Sequence, residues 1–209
     1  MEKNKKSLAR KISKIIMWAF LVLVILFIIL VIVRVFHFVS LDKTNAEVAK
    51  IKNTKLTIDD VLGKNLPADP GALADQTIAG IDANKNGIRD DVEIAIFQTY
   101  PNSAKTRAVL LQYALALQTQ MTLPVLNTTT LTTTVQDNLS RAEMCLWNLS
   151  SRSDMNKFIT DVDKYQTYVE NLQINTPKRK KYMDDLYKYL RSYSASNEGC
   201  DLDLTLLSN

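Results

Sequence analysis

The chain has 209 residues, with 26 Lys and Arg against 22 Asp and Glu, a single His and two Cys. Seven of the basic residues fall within positions 1–34 against Glu2 alone, which leaves 19 against 21 acids elsewhere, so the overall +4 belongs to the amino terminus. That distribution argues against a nucleic-acid footprint, and with His37 beside an apolar run the later residues have no imidazole for a Cys–His pair.

Ile15 to Val33 contains no charge, glycine or proline. Nineteen helical residues span roughly 28 Å, close to the hydrocarbon thickness of a bilayer. Residues 15–36 are therefore expected to be a transmembrane signal anchor in contact with lipid. The cluster Lys3, Lys5, Lys6, Arg10, Lys11 and Lys14 precedes it, so residues 1–14 form a basic tail that should stay cytoplasmic. The run is longer than a cleavable signal's apolar core, and VRVFHFVS offers no A-x-A-like site, although cleavage near Ser40 stays open as the alternative. Its Leu/Ile/Val/Phe surface has no Gly-x-x-x-Gly or polar stripe to suggest a channel or a specific dimer.

Residues 37–56 read as a juxtamembrane stalk, polar with weak helical spacing, and 57–209 as the extracytoplasmic domain. Thr57 is placed to cap a short IDDVL turn that Gly63 ends. LPADPG should run irregularly. Thr77 to Ile81 is a short, weakly patterned candidate for a helix entering the next segment.

That segment is DANKNGIRDDVE, residues 82–93. Calcium is a hard cation that takes six to eight oxygens, and a twelve-residue loop supplies them from positions 1, 3, 5, 7, 9 and 12, with glycine at 6 for a sharp turn. Asp82, Asn84 and Asn86 stand at the first three of these, and Gly87 at the turn. Ile88 would offer its carbonyl, Asp90 sits at position 9, and Glu93 closes the loop. The loop resembles an EF-hand, and GIDANKNGIRDDVE is similar to loops in small bacterial envelope proteins. The resemblance covers these twelve residues and the exiting helix. It departs from a paired hand at position 8, where Arg89 replaces the usual aliphatic residue, and no second such loop occurs. With only Asp82 and Glu93 as charged direct ligands, affinity is expected near 10⁻⁴ to 10⁻³ M. The competing reading is a polar turn that caps a helix, with Asp90 and Asp91 favoured by the helix dipole.

Beyond the loop, Val92, Ile96 and Tyr100 recur every four residues until Pro101. Ser103 to Met121, apolar on nearly all sides, predicts a central buried helix. TLPVLNTTTLTTT is β-branched and reads as a long ordered loop. Val135 to Leu149 predicts the helix bearing Cys145 and Trp147. Asp154 should cap a helix with the stripe Phe158, Val162, Tyr165, Val169 and Leu172, and Thr176 with Pro177 should open a last helix to about Tyr193. Cys145 and Cys200, an even pair in an exported domain, predict a disulfide, two free thiols being the alternative. The expected fold is all-α: an N-terminal transmembrane helix followed by an antiparallel helical bundle with one EF-hand-like loop.

Lys178 to Lys181 reads as a solvated basic face, with anion binding the sharper alternative. Tyr182, Leu186, Tyr189 and Tyr193 read as a core face, with Tyr187 exposed. No nucleophile, base and orienting group fall into a catalytic pattern, so a non-enzymatic role is expected: a membrane-anchored calcium-binding protein of the bacterial inner membrane, its C-terminal domain periplasmic or extracellular, acting as a structural or protein-interaction module with an envelope partner. The alternative is an enzyme using carboxylates drawn from Asp59, Asp60, Asp69 and Asp75. Calcium signalling across the membrane, a third possibility, is disfavoured by the lone loop and the short tail.

Overall fold

The computed structural model describes residues 2–123, 127–190 and 199–209, with side chains described from Ser13 onward. Every regular element among these residues is helical. The chain divides into two compact units, Met1–Asn45 and Ala46–Asn209.

Helix α1 spans Glu2–Asn53. Within the first unit its large apolar side chains from Ile15 to Leu41 are exposed around the whole circumference. A helix with that surface and no protein packed on it is long and apolar enough to cross a membrane. The expected stalk is not a separate spacer: residues 46–53 remain helical and belong to the second unit, where Ile51 is buried. The sequence hides this because one buried apolar position in eight residues gives almost no periodic signal.

The second unit is arranged around α4, Ala104–Thr122, whose Ser103 cap accepts a hydrogen bond from the Thr106 amide. From Thr106 to Met121 every residue is buried, as its all-round apolar pattern predicts. Its interior polar side chains are tied to backbone elsewhere: Gln112 donates to the Gly199 carbonyl at 3.1 Å and accepts from the Asp201 amide at 2.8 Å, and Gln118 donates to the Ala79 carbonyl at 2.6 Å.

Around α4 lie α2 (Ile58–Leu62), α3 (Asp90–Thr99), α5 (Thr128–Thr133), α6 (Ser140–Leu146), α7 (Met155–Gln173) and α8 (Pro177–Tyr187). Thr57 and Asp60 cap α2 reciprocally, and Gly63, at φ 68°, ends it in the left-handed conformation. Asp154 and Thr176 cap α7 and α8, the latter with Pro177 in its first turn. The end of α7 packs by the start of α3, since Arg89 reaches the carbonyls of Leu172 and Gln173, while Tyr168 donates to Ala95 and Thr99 further along.

Two further expectations about the helices fail. The threonine-rich stretch is helical from Thr128, through a π-helical turn at Thr134–Leu139, into α6. Asn127 and Thr130 form a capping box, Thr134 donates its hydroxyl to the Thr130 carbonyl at 2.9 Å, and Leu131 and Val135 are buried. Tertiary burial on one face thus overrides a weak intrinsic propensity; residues 124–126 of that stretch lie outside the described ones. On α8, Tyr189 is 72% exposed and not part of the core face, because the helix ends at Tyr187 and its register is lost; Tyr193 lies outside the described residues. Tyr182 is half-buried, Leu186 buried and Tyr187 exposed, as their spacing indicates.

Candidate functional site

The twelve-residue segment 82–93 runs into the first turn of α3, with no entering helix before it: residues 76–79 are bends held by side-chain contacts. One buried arginine holds the bend and a second braces the segment against α7. Arg179, fully buried, donates to the carbonyls of Ile78 at 3.0 Å and Thr77 at 3.1 Å, to the Ala74 carbonyl, and to the side chains of Asp75 and Asn175. Arg89, also fully buried, donates to the Leu172 carbonyl at 2.6 Å, the Gln173 carbonyl at 3.1 Å and the Asp91 carboxylate at 2.8 Å. Gly80, at φ 68°, lets this stack close, since a Cβ there would stand 2.3 Å from the Arg89 side chain. Position 8 of the segment is therefore spent on the end of α7, in place of the pairing with a second loop.

Inside the segment, the chain wraps around Asp82. Its carboxylate accepts from the amides of Asn86 at 3.2 Å and Gly87 at 3.0 Å. Lys85 and Gly87 adopt positive φ, 58° and 84°, to complete the turn. The Asn84 side-chain oxygen accepts from the Asn86 amide, and the Asn86 oxygen from the Ile88 amide at 2.9 Å. The side-chain nitrogens of Asn84 and Asn86 then meet the two oxygens of Glu93, at 3.0 and 3.2 Å. Positions 1, 3, 5 and 12 are thus gathered in one place. Ile88 anchors the loop with its side chain fully buried in the core, and Gly87 lies so close to α4 that a Cβ would approach Leu115 to 2.8 Å. Gly87→Ala is accordingly expected to destabilise the protein by on the order of 2 kcal/mol, through positive φ and this contact together; an unchanged denaturant midpoint would refute the packing described.

Asp90 does not join the group. Both its oxygens accept from the Ala83 amide, at 3.0 and 3.2 Å, so it closes the loop's base. Burial pushes its carboxyl up from the usual range, only partly opposed by that hydrogen bond. Burial also pushes the Glu93 carboxyl up, to about 7; Asn84 and Asn86 pull it down, and Asp60 and Asp90 add to the rise. Glu93 is 1% exposed, so its negative charge is costly unless donors or a counter-charge surround it.

Sequence reasoning missed Asp60 as a neighbour of this site. Its Oδ2 caps Thr57, and its Oδ1 lies 3.5 Å from the Asn86 side-chain nitrogen. The Asn65 carbonyl likewise accepts from Asn84 at 3.1 Å. No spacing rule could reveal either contact, since both cross from α2 and the turn after it. Among the described residues, no group of three or more His, Cys, Asp or Glu side chains is gathered closely enough to hold a metal ion. The donor set here instead mixes two carboxylates with two amides and a carbonyl. Oxygen donors of this kind are those a hard cation takes.

The carboxylates considered for catalysis are dispersed. Asp59 pairs with Lys64 at 2.6 Å, Asp60 caps α2, Asp69 accepts from the Gly71 amide at 2.8 Å, and Asp75 is held by Arg179. The Arg179 hydrogen bond keeps the Asp75 carboxyl below its ordinary value. Of the basic run, Lys178, Lys180 and Lys181 are exposed as expected, but Arg179 is a buried structural clamp. Cys145 and Cys200 form a disulfide with Cα atoms 4.7 Å apart.

Comparison of the chain with protein-family models, curated proteins and solved structures gives no match.

Proposed function

We propose that this is a single-pass membrane protein of the bacterial cell envelope whose extracytoplasmic helical domain binds one calcium ion and serves as a structural or protein-interaction module. The observation that carries this reading is the meeting of Asp82, Asn84, Asn86 and Glu93 from a twelve-residue segment with glycine at its turn. The Ile88 carbonyl completes the protein's share, and Asp90, at position 9, would act through water. When bound, calcium supplies the positive charge that a buried Glu93 lacks. The basic residues before the apolar part of α1 favour a cytoplasmic amino terminus and put the second unit outside. A lone loop braced by Arg89 against α7 suits a structural clip better than a sensor, which needs an element free to open.

The test uses the full chain in detergent. At about 10 mM calcium and an affinity of 10⁻⁴ to 10⁻³ M, binding to the folded state alone stabilises by about 1.4–2.7 kcal/mol, or roughly 3–10 °C in melting temperature. Glu93→Gln, which keeps the shape and removes the charge, should abolish the rise. Identical melts in calcium and in chelator would remove the ion from this account.

A further inference from the structure

Between α4, α6, α7 and α8 lies a cleft of about 630 Å³ whose lining includes none of the residues of the 82–93 segment. Its floor is apolar: Leu117, Val135, Leu139 and Met183 are all buried. Two half-buried carboxylates, Glu143 from α6 and Glu170 from α7, line the same space. Glu170 is fixed in place, accepting from the buried Tyr113 hydroxyl at 2.8 Å and from Gln166 at 3.0 Å. The Glu143 carboxylate receives no hydrogen bond from any described residue. Among the described residues, its charged neighbours in the cleft are Glu170 inside and, at the exposed rim, Lys180 with Asp184. Negative charge therefore exceeds positive where water is partly excluded, and burial and Glu170 both raise the Glu143 carboxyl above its usual value.

We propose that this cleft binds a small organic cation, an ammonium group carried on an apolar body. The ammonium would take the place between Glu143 and Glu170, and the body would cover the Leu117–Leu139–Met183 floor. The volume lies within the range of small-molecule sites, and apolar walls with a few convergent polar groups are their usual lining. An anion would meet two carboxylates with one rim lysine in compensation. A neutral apolar ligand would desolvate both carboxylates and return nothing for it. A charge-assisted hydrogen bond supplies the difference.

The experiment is calorimetric titration of the full chain in a non-ionic detergent with phenethylammonium, beside 2-phenylethanol and 3-phenylpropionate as neutral and anionic counterparts. Saturable binding of the ammonium is expected, with each counterpart at least about tenfold weaker, and Glu170→Gln and Glu143→Gln each weakening the ammonium by about tenfold or more, the scale of one lost charged hydrogen bond. Glu143→Gln removes no protein hydrogen bond, so it reads the site even where Glu170→Gln disturbs Tyr113. No saturable heat up to about 10 mM, equal binding of the alcohol, or unaltered binding by Glu143→Gln with an unaltered melt would each overturn the proposal.

Discussion

Full reduction of the Cys145–Cys200 disulfide is expected to lower stability by about 4 kcal/mol, because the bridge closes a 55-residue separation and so restricts the unfolded chain. For a domain of this size that is roughly 8–16 °C in melting temperature. The bridge ties down more than a loose end. Immediately after Cys200, the Asp201 carboxylate, whose side chain is fully buried, accepts from the Leu56 amide at 2.8 Å and pairs with Arg141 at 3.3 Å. The Asp201 amide donates to Gln112. Three segments distant in sequence, the link between α1 and α2, the middle of α4 and the start of α6, are thus joined through one residue that the disulfide to Cys145 holds in place. Melts with and without reductant, with thiol labelling to prove complete reduction, measure the effect. An unchanged melting temperature after full labelling would show that the tail contributes nothing to the fold.

Arg179→Met should cost on the order of 3–5 kcal/mol, far more than an exposed member of a basic run. The guanidinium is fully buried and serves the carbonyls of Ala74, Thr77 and Ile78 together with Asp75 and Asn175. Methionine fills much of the same volume but leaves those carbonyls without donors, each carrying its own desolvation penalty. Asp75 is half exposed and regains water, so the ion pair contributes little of the loss. Lys178→Met, one turn position away and exposed, should change stability by less than about 0.5 kcal/mol. Denaturant midpoints of the two variants decide the matter, and equal values would mean that residues 74–78 are held some other way. Because Arg179 holds the chain that leads into the 82–93 segment, the same variant should also weaken the calcium response proposed above.

The contrast between these two neighbours shows how far the sequence reaches. Lys178, Arg179, Lys180 and Lys181 read as one basic face, yet Arg179 falls four and seven residues before Met183 and Leu186, on the stripe of α8 that is buried. What that buried guanidinium binds, the carbonyls of residues 74–78, only the packing of α8 decided. Asp201 is similar: a polar residue in a tail acquires its role only when Leu56 and Arg141 converge on it. Glu143 and Glu170 come from different helices and share a cleft because α6 and α7 both pack on α4.

What the sequence determined by itself were the features whose physics is local or periodic. Nineteen uncharged residues after a basic cluster specify an apolar helix of bilayer length. The side chains of Thr57, Ser103, Asp154 and Thr176 specify helix starts because each accepts an amide within its own first turn. The segment 82–93 specifies its own turn, since Asp82, Asn84, Asn86 and Gly87 interact within a few residues of one another. Tertiary structure alone decided the rest. The threonine-rich stretch became helical because Leu131 and Val135 found a core to enter. Asp60 came alongside the loop because α2 and α3 both pack on α4. The physical reason is common to all of these: a backbone cap or a periodic stripe is satisfied within a few residues, whereas the cost of burying a charge or a β-branched run is settled only by what the remainder of the chain places beside it.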